Sequence, residues 1–228
     1  TTTNNPKLEK MKTIDSGRLG DNINFIHYAD GFVWIYGYGD MYDFGSSPFK
    51  YPEKITEVDI EHDDAENGLT INSIGNHVFY NCKNLPEIAI PDTVTRIGKY
   101  AFNNCVSLTE FKIPSSVNTV EDYAFSNTGY VDIVIPSTIT TLGNYVFSDC
   151  TSLKTAIIED RTSMPSYLFN RCTALEELTL PYAGQSLESV NKANSSERVS
   201  VRLFNYSVTN KTYSDGNGWH IPNSLKKI

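Results

Sequence analysis

The sequence predicts a right-handed, β-rich α/β repeat solenoid, with one parallel sheet and short helical turns on the opposite wall. Three observations carry this. Phe79, Phe102, Phe125, Phe147 and Phe169 recur at intervals of 23, 23, 22 and 22 residues. Leu85, Leu108, Tyr130, Leu153 and Leu175 keep the same beat. Pro91, Pro114, Pro136 and Pro181 follow the apolar residues of their units at one constant place.

Each part of the unit has a physical reason. The unit reads L-x-x-I-x-I-P, an apolar residue, then I-G-x-x-A-F-x-x-C. Leu85 to Cys105 is one full copy, and Tyr130 to Cys150, through Ile133, Ile135, Pro136, Ile139, Leu142, Gly143 and Phe147, is another. The paired isoleucines stand two apart, so both point to one face of a short strand. Proline cannot continue a ladder, so the strand stops and the chain turns. Ile97 and Ala101 stand at i and i+4, which suits one helical turn. A single unit cannot bury its apolar side. Stacking buries it and pairs the strands in parallel, and each buried Phe contributes about 1.5–3 kcal/mol. Some units depart from the pattern. Glu159 replaces the proline, Met164-Pro165 replaces I-G, and Thr128 stands where Cys is expected. None interrupts the apolar ladder, and a local bend is expected.

The combination I-P…I-G-x-x-A-F-x-x-C-x-x-L resembles the BspA-like, or treponemal-type, leucine-rich repeats over Ile55 to Pro181. The resemblance implies a leucine-rich-repeat solenoid. The flanks look similar too. Trp34 to Phe44, with Gly37, Gly39, Asp40, Met41 and Tyr42, resembles the G-x-G-x-M-Y segment that precedes such repeats. Leu180 to Gly184 and Ile221 to Lys226 resemble an interruption between repeat blocks. The expected organisation is therefore a capping strand or hairpin over 1–54, repeats of 22–23 residues over 55–182, an irregular interruption over 183–219, and the start of a further repeat over 220–228. Solenoids need caps because an open end exposes core and strand edges. Phe32, Trp34, Tyr36, Tyr38, Tyr42 and Phe44 are expected to pack over the first repeat, with sugar binding as the alternative role. Asn194, Asn205 and Asn210 each begin an N-x-[ST] sequon, which chance explains in a chain rich in Asn, Ser and Thr.

Composition removes whole classes of function. The 228 residues carry a net charge of −8, which argues against nucleic acid and against anionic membrane surfaces. No apolar run is long enough for a membrane helix. The first residues, Thr1 to Thr3, show no signal peptide, and the expectation is a removed leader or a piece of a longer protein. A monomer is expected.

Catalytic chemistry is not visible. His27, His62, His77 and His220 are scattered, and no zinc, nucleotide or hydrolase motif occurs. The Gly37-x-Gly39 pair is too short for a nucleotide loop. The run Glu61 to Glu66 lacks the alternating ligands of a calcium loop and reads as a solvated acidic loop. Cys82, Cys105, Cys150 and Cys172 share one repeat position. They allow disulfides 82–105 and 150–172, but Thr128 in the same column favours buried free thiols that act as small hydrophobes. No cofactor or metal is expected.

If I-x-I points inward, the residues between point out. The first outward column is Glu57, Glu87, Glu110, Asp132, Thr155 and Glu177, and the second is Asp59, Ala89, Lys112, Val134, Ile157 and Thr179. Unit charges on adjacent strands about 4.8 Å apart repel by nearly 1 kcal/mol even in water. Such a ladder suits a basic partner surface or divalent cations, with a solvated sheet face as the plain alternative. Glu57, Glu87, Glu110, Lys112, Asp132 and Glu177 are the candidate partner-binding residues. The resemblance implies a secreted or cell-surface, non-enzymatic adhesion module that contacts host matrix proteins such as fibronectin and fibrinogen. The alternatives are a passive spacer in a longer surface protein and, with no motif behind it, a carbohydrate-active enzyme.

Overall fold

A computed structural model describes residues 11–62, 68–159 and 165–179. The expected interruption at 183–219, the further repeat at 220–228, the three sequons, His220 and most of the acidic run after His62 lie outside the described residues.

The chain begins with an antiparallel meander, β1 (Thr13–Arg18), β2 (Gly20–Tyr28) and β3 (Phe32–Met41). A 3-10 turn at Pro52–Lys54 leads to β4 (Glu57–His62), which lies parallel to β3. The strands alternate as half-buried sheets do. Ile23 and Phe25 of β2 and Val33 and Ile35 of β3 are buried, whereas Trp34 and Tyr36 are half-buried on the other face. Gly37 and Gly39 have φ of 123° and 102°, values that a side chain disfavours. Here β3 changes partners, from β4 over Phe32 to Gly37 to β5 (Ile71–Ile74) at Gly39 and Asp40. The glycine pair is thus a bend that joins cap to solenoid.

From β5 onward the coils stack in parallel. β6 (Arg96–Ile97), β7 (Thr119–Val120) and β9 (Thr141–Leu142) continue the sheet. Ladder bonds such as Gly98 N–H to Ile74 (2.9 Å) and Glu121 N–H to Ile97 (2.9 Å) join successive coils. A second sheet holds β8 (Asp132–Ile135), β10 (Thr155–Ile158) and β11 (Glu177–Thr179), also parallel. Between the sheets, Pro91, Pro114 and Pro136 end the L-x-x-I-x-I runs as expected. Each proline carbonyl accepts the N–H three residues on, at Val94 (3.0 Å), Val117 (3.0 Å) and Ile139 (3.2 Å).

Two details differ from the sequence expectation. The parallel strands fall into two sheets, not one, and the first is built from the I-G part of the unit. The wall expected to be helical contains no α-helix among the described residues. Tyr100 and Asn104 have φ of 55° and 64°, and their equivalents His77, Asn81, Tyr123, Asn127, Tyr145, Asp149, Tyr167 and Arg171 behave alike. A left-handed residue every fourth position breaks any α-helix. The freed amides bond the next coil instead, Phe79 N–H to Ala101 at 2.8 Å and Phe102 N–H to Ala124 at 2.8 Å. Ile97 and Ala101 are both buried, so the apolar spacing was informative although its period was not helical.

The core is a set of ladders. Phe79, Phe102, Phe125, Phe147 and Phe169 are fully buried and stack at 5.1, 5.2, 5.6 and 6.0 Å. All four cysteines are buried and free. Cys105, Cys150 and Cys172 each donate S–H to a Phe carbonyl one coil back, at 3.1, 3.3 and 3.0 Å. Thr128 fills the same column and donates to the Phe125 carbonyl at 2.9 Å. A weak donor in a small apolar slot is what the position requires. Burial pushes the Cys82 and Cys172 thiols well above their ordinary range, which disfavours the reactive thiolate. Glu159, at the proline place, accepts bonds from Ser137 N–H (2.9 Å) and Oγ (3.1 Å) one coil back. It ties its coil to the preceding one by hydrogen bonding.

Candidate functional site

The candidate face is the outer surface of the L-x-x-I-x-I runs. Alternation decides it: Ile88, Ile90, Ile133, Ile135, Ala156 and Ile158 are buried, so the residues between them stand outward. Glu87, Glu110, Lys112, Asp132 and Glu177 are all exposed, as is Glu57. Asp132 pairs in register with Thr155, and Thr155 with Glu177. Thr155 therefore separates these two carboxylates by two strand spacings, about 9.6 Å, which about halves the repulsion expected of adjacent strands. Glu57 sits on β4, in register with Phe32 of the cap. Glu87 and Glu110 lie on extended stretches outside any ladder.

Two troughs run along this face. One of about 740 Å3 brings Glu57, Glu87, Glu110 and Lys112 together. The other, about 710 Å3, is lined by Lys112, Asp132, Val134, Ile157 and Glu159. Glu177 lines neither. Val134 and Ile157 are 48% and 36% exposed, unusual for such residues, and they sit side by side in register. Among the described residues the ion pairs are Arg96 with Asp43 and Glu121, Lys99 with Asp122, and Arg171 with Asp149. None involves Glu57, Glu87, Glu110, Asp132 or Glu177, so among the described residues no ion pair neutralises the negative charge of this face. Among the described residues no cluster of three His, Cys, Asp or Glu is placed to hold a metal ion, and no helix is long and apolar enough to cross a membrane.

The cap aromatics divide. Phe44 packs on the core, joined by Phe49, whose ring lies 5.9 Å from Phe79 and 4.8 Å from Phe25. Phe49 joins from outside the expected set, and Phe44 meets the expectation of covering the first repeat. Phe32, Trp34 and Tyr36 do not, because strand alternation turns them to the outer face. There Trp34 stacks on Tyr36 at 4.3 Å and donates Nε1–H to Glu61 at 2.9 Å. Register places Glu57, Asp59 and Glu61 beside Phe32, Trp34 and Tyr36.

One surface feature escaped the sequence reading. Tyr100, Tyr123, Tyr145 and Tyr167 stack at 4.8, 4.7 and 4.7 Å, with His77 5.0 Å from Tyr100 at the head of the column. Beside them Asn104 bonds Asn81, and Asn127 bonds Asn104 at 2.7 Å. The tyrosines recur at 23, 22 and 22 residues, a signal present in the sequence. Burial raises the Tyr123 and Tyr145 hydroxyls above their ordinary range, so they stay protonated at neutral pH.

Comparison with known proteins agrees with this architecture. A sequence profile of the BspA type leucine rich repeat region matches six copies over residues 72–197, starting after β4. None of the curated proteins matches the chain. A solved leucine-rich repeat protein from Eubacterium ventriosum is 25% identical, with TM-score 0.62, over 72% of this chain and 43% of that one. Another, from Bacteroides ovatus, is 24% identical, with TM-score 0.53, over 71% of this chain and 46% of that one. The chain thus spans less than half the length of either. With the matched profile covering more than half of the sequence, the chain belongs to the BspA-type leucine-rich-repeat family.

Proposed function

We propose that the chain is a non-enzymatic protein-binding module, displayed at a cell surface or secreted, whose acidic outer face docks a basic surface of a partner protein. One observation carries the reading. Among the described residues, five carboxylates outside any ion pair share a face with exposed Val134 and Ile157. Apolar contact supplies affinity, and unpaired charge supplies steering and selectivity for a cationic partner. Host matrix proteins are the partner class that the family resemblance suggests.

The test is binding to immobilised fibronectin, fibrinogen and a whole matrix extract, at low and high salt. The triple reversal Glu87→Lys, Glu110→Lys and Asp132→Lys runs beside the unchanged protein. Binding should weaken as salt shortens the Debye length from about 10 Å at 0.1 M to about 3 Å at 1 M. It should be lost in the reversal. Binding that survives the reversal would refute this placement of the site. No binding to any surface would favour a passive spacer.

A further inference from the structure

The second sheet is not continuous with the cap. Among the described residues β4 pairs with β3 and with no other strand. Glu57 N–H reaches the Gly31 carbonyl on the β3 side. Amide groups alternate in direction along a parallel strand, so those of Val58 and Ile60 point away from β3. Among the described residues they have no partner, and neither do the backbone groups of Glu87 to Ile90 across the trough. β4 therefore presents a bare hydrogen-bonding edge in the interior of the face, beside the trough of about 740 Å3.

We infer that the free edge of β4 is a strand-addition site for an extended, basic segment of a partner protein. This rests on the acidic-face reading above and names how the partner engages. An added strand would satisfy the idle amides of Val58 and Ile60, as peptides do at exposed sheet edges. Charge identifies the occupant. Glu57 and Asp59 project from the same face of β4, with Glu87 and Glu110 across the trough and Lys112 as the cation among its lining residues. On an added strand, side chains at alternate positions share that face. The matching segment carries Lys or Arg at alternate positions and apolar residues between them, which rest on Val58 and Ile88.

The probe is a fluorescein-labelled hexapeptide, Lys-Val-Lys-Val-Lys-Val, read by fluorescence anisotropy. Its comparators are Lys-Lys-Lys-Val-Val-Val and two N-methylated forms, one methylated on the Lys amides and one on the Val amides. The alternating peptide should bind at least about tenfold more tightly than the blocked one. One of the methylated forms should lose at least about tenfold, the effect of two or more missing backbone hydrogen bonds. Val58→Pro should reduce binding similarly, because proline is tolerated on a free edge but removes the donor. Circular dichroism of that variant reports its folding, and the methylated peptides test the edge without altering the protein. Equal binding of all four peptides would overturn strand addition. If that binding were still lost in the triple charge reversal, the acidic-face reading would stand without it. Absence of peptide binding would also overturn strand addition, while the matrix assay judges the broader reading separately.

Discussion

Tyr130→Phe should make the protein more stable, although it removes a polar group from a native side chain. Tyr130 takes the place that Leu85, Leu108, Leu153 and Leu175 hold in other coils. It is fully buried, and among the described residues its hydroxyl has no hydrogen-bond partner. Burial also drives its ionisation far above the ordinary value, so it remains a neutral orphan. A buried unsatisfied hydroxyl costs about 1–3 kcal/mol. The ring itself should not move, since it is held by Phe111 at 6.1 Å, Phe125 at 5.8 Å and Phe147 at 6.3 Å. Deleting one oxygen leaves a void of about 12 Å3, worth about 0.3 kcal/mol at about 24 cal/mol per Å3. The balance is a gain of about 1–2.5 kcal/mol. Urea unfolding followed by circular dichroism measures it, with a higher midpoint at unchanged slope. Tyr123→Phe on the half-buried surface ladder is the control and should stay within about 0.5 kcal/mol. A loss of stability in Tyr130→Phe beyond about 0.5 kcal/mol would show that the hydroxyl is bonded, and the reasoning would fail.

Three further outcomes are expected. Phe125→Ala should cost about 3–5 kcal/mol in the same urea assay, since its ring is fully buried among Phe102, Phe111, Tyr130 and Phe147. His27 is buried with both ring nitrogens unpartnered among the described residues, and desolvation lowers its pKa from 6.5 despite the opposing pull of Asp15. The unfolded chain therefore takes up a proton first. The stability from His27 is complete above pH 6.5 and falls as pH drops from there toward the lowered folded value. Denaturation midpoints measured from pH 7.5 down to about 5 should show that slope, and His27→Leu should flatten it. Finally, Cys82, Cys105, Cys150 and Cys172 are buried, so none should react with a thiol reagent in the native protein and all four should react in denaturant.

The balance between sequence and structure differs from element to element. The repeat was legible because the same apolar residues return every 22 or 23 positions, and only stacked coils bury such a pattern. The outward columns were legible for the same reason, since alternation by two assigns faces without any coordinates. The wall carrying Tyr100 and Asn104 was not. Ile97 and Ala101 have helical spacing, but left-handed residues interrupt the helix and the freed amides bond the next coil, partners that lie outside any single unit. The outer placement of Trp34 and Tyr36 was missed because their strand's inner face depended on which neighbours it met.

The sequence by itself determined that this chain stacks, which residues it buries, and the sign of the charge on its outer face. Tertiary structure alone decided where the coils pair and where they do not. Backbone pairing depends on how closely neighbouring runs approach. That distance reflects the packing of the whole stack, with Phe111 and Tyr130 wedged among the ladder phenylalanines and β4 drawn to β3. The bare edge of β4 exists only in that assembled geometry, and no repeat unit read alone contains it.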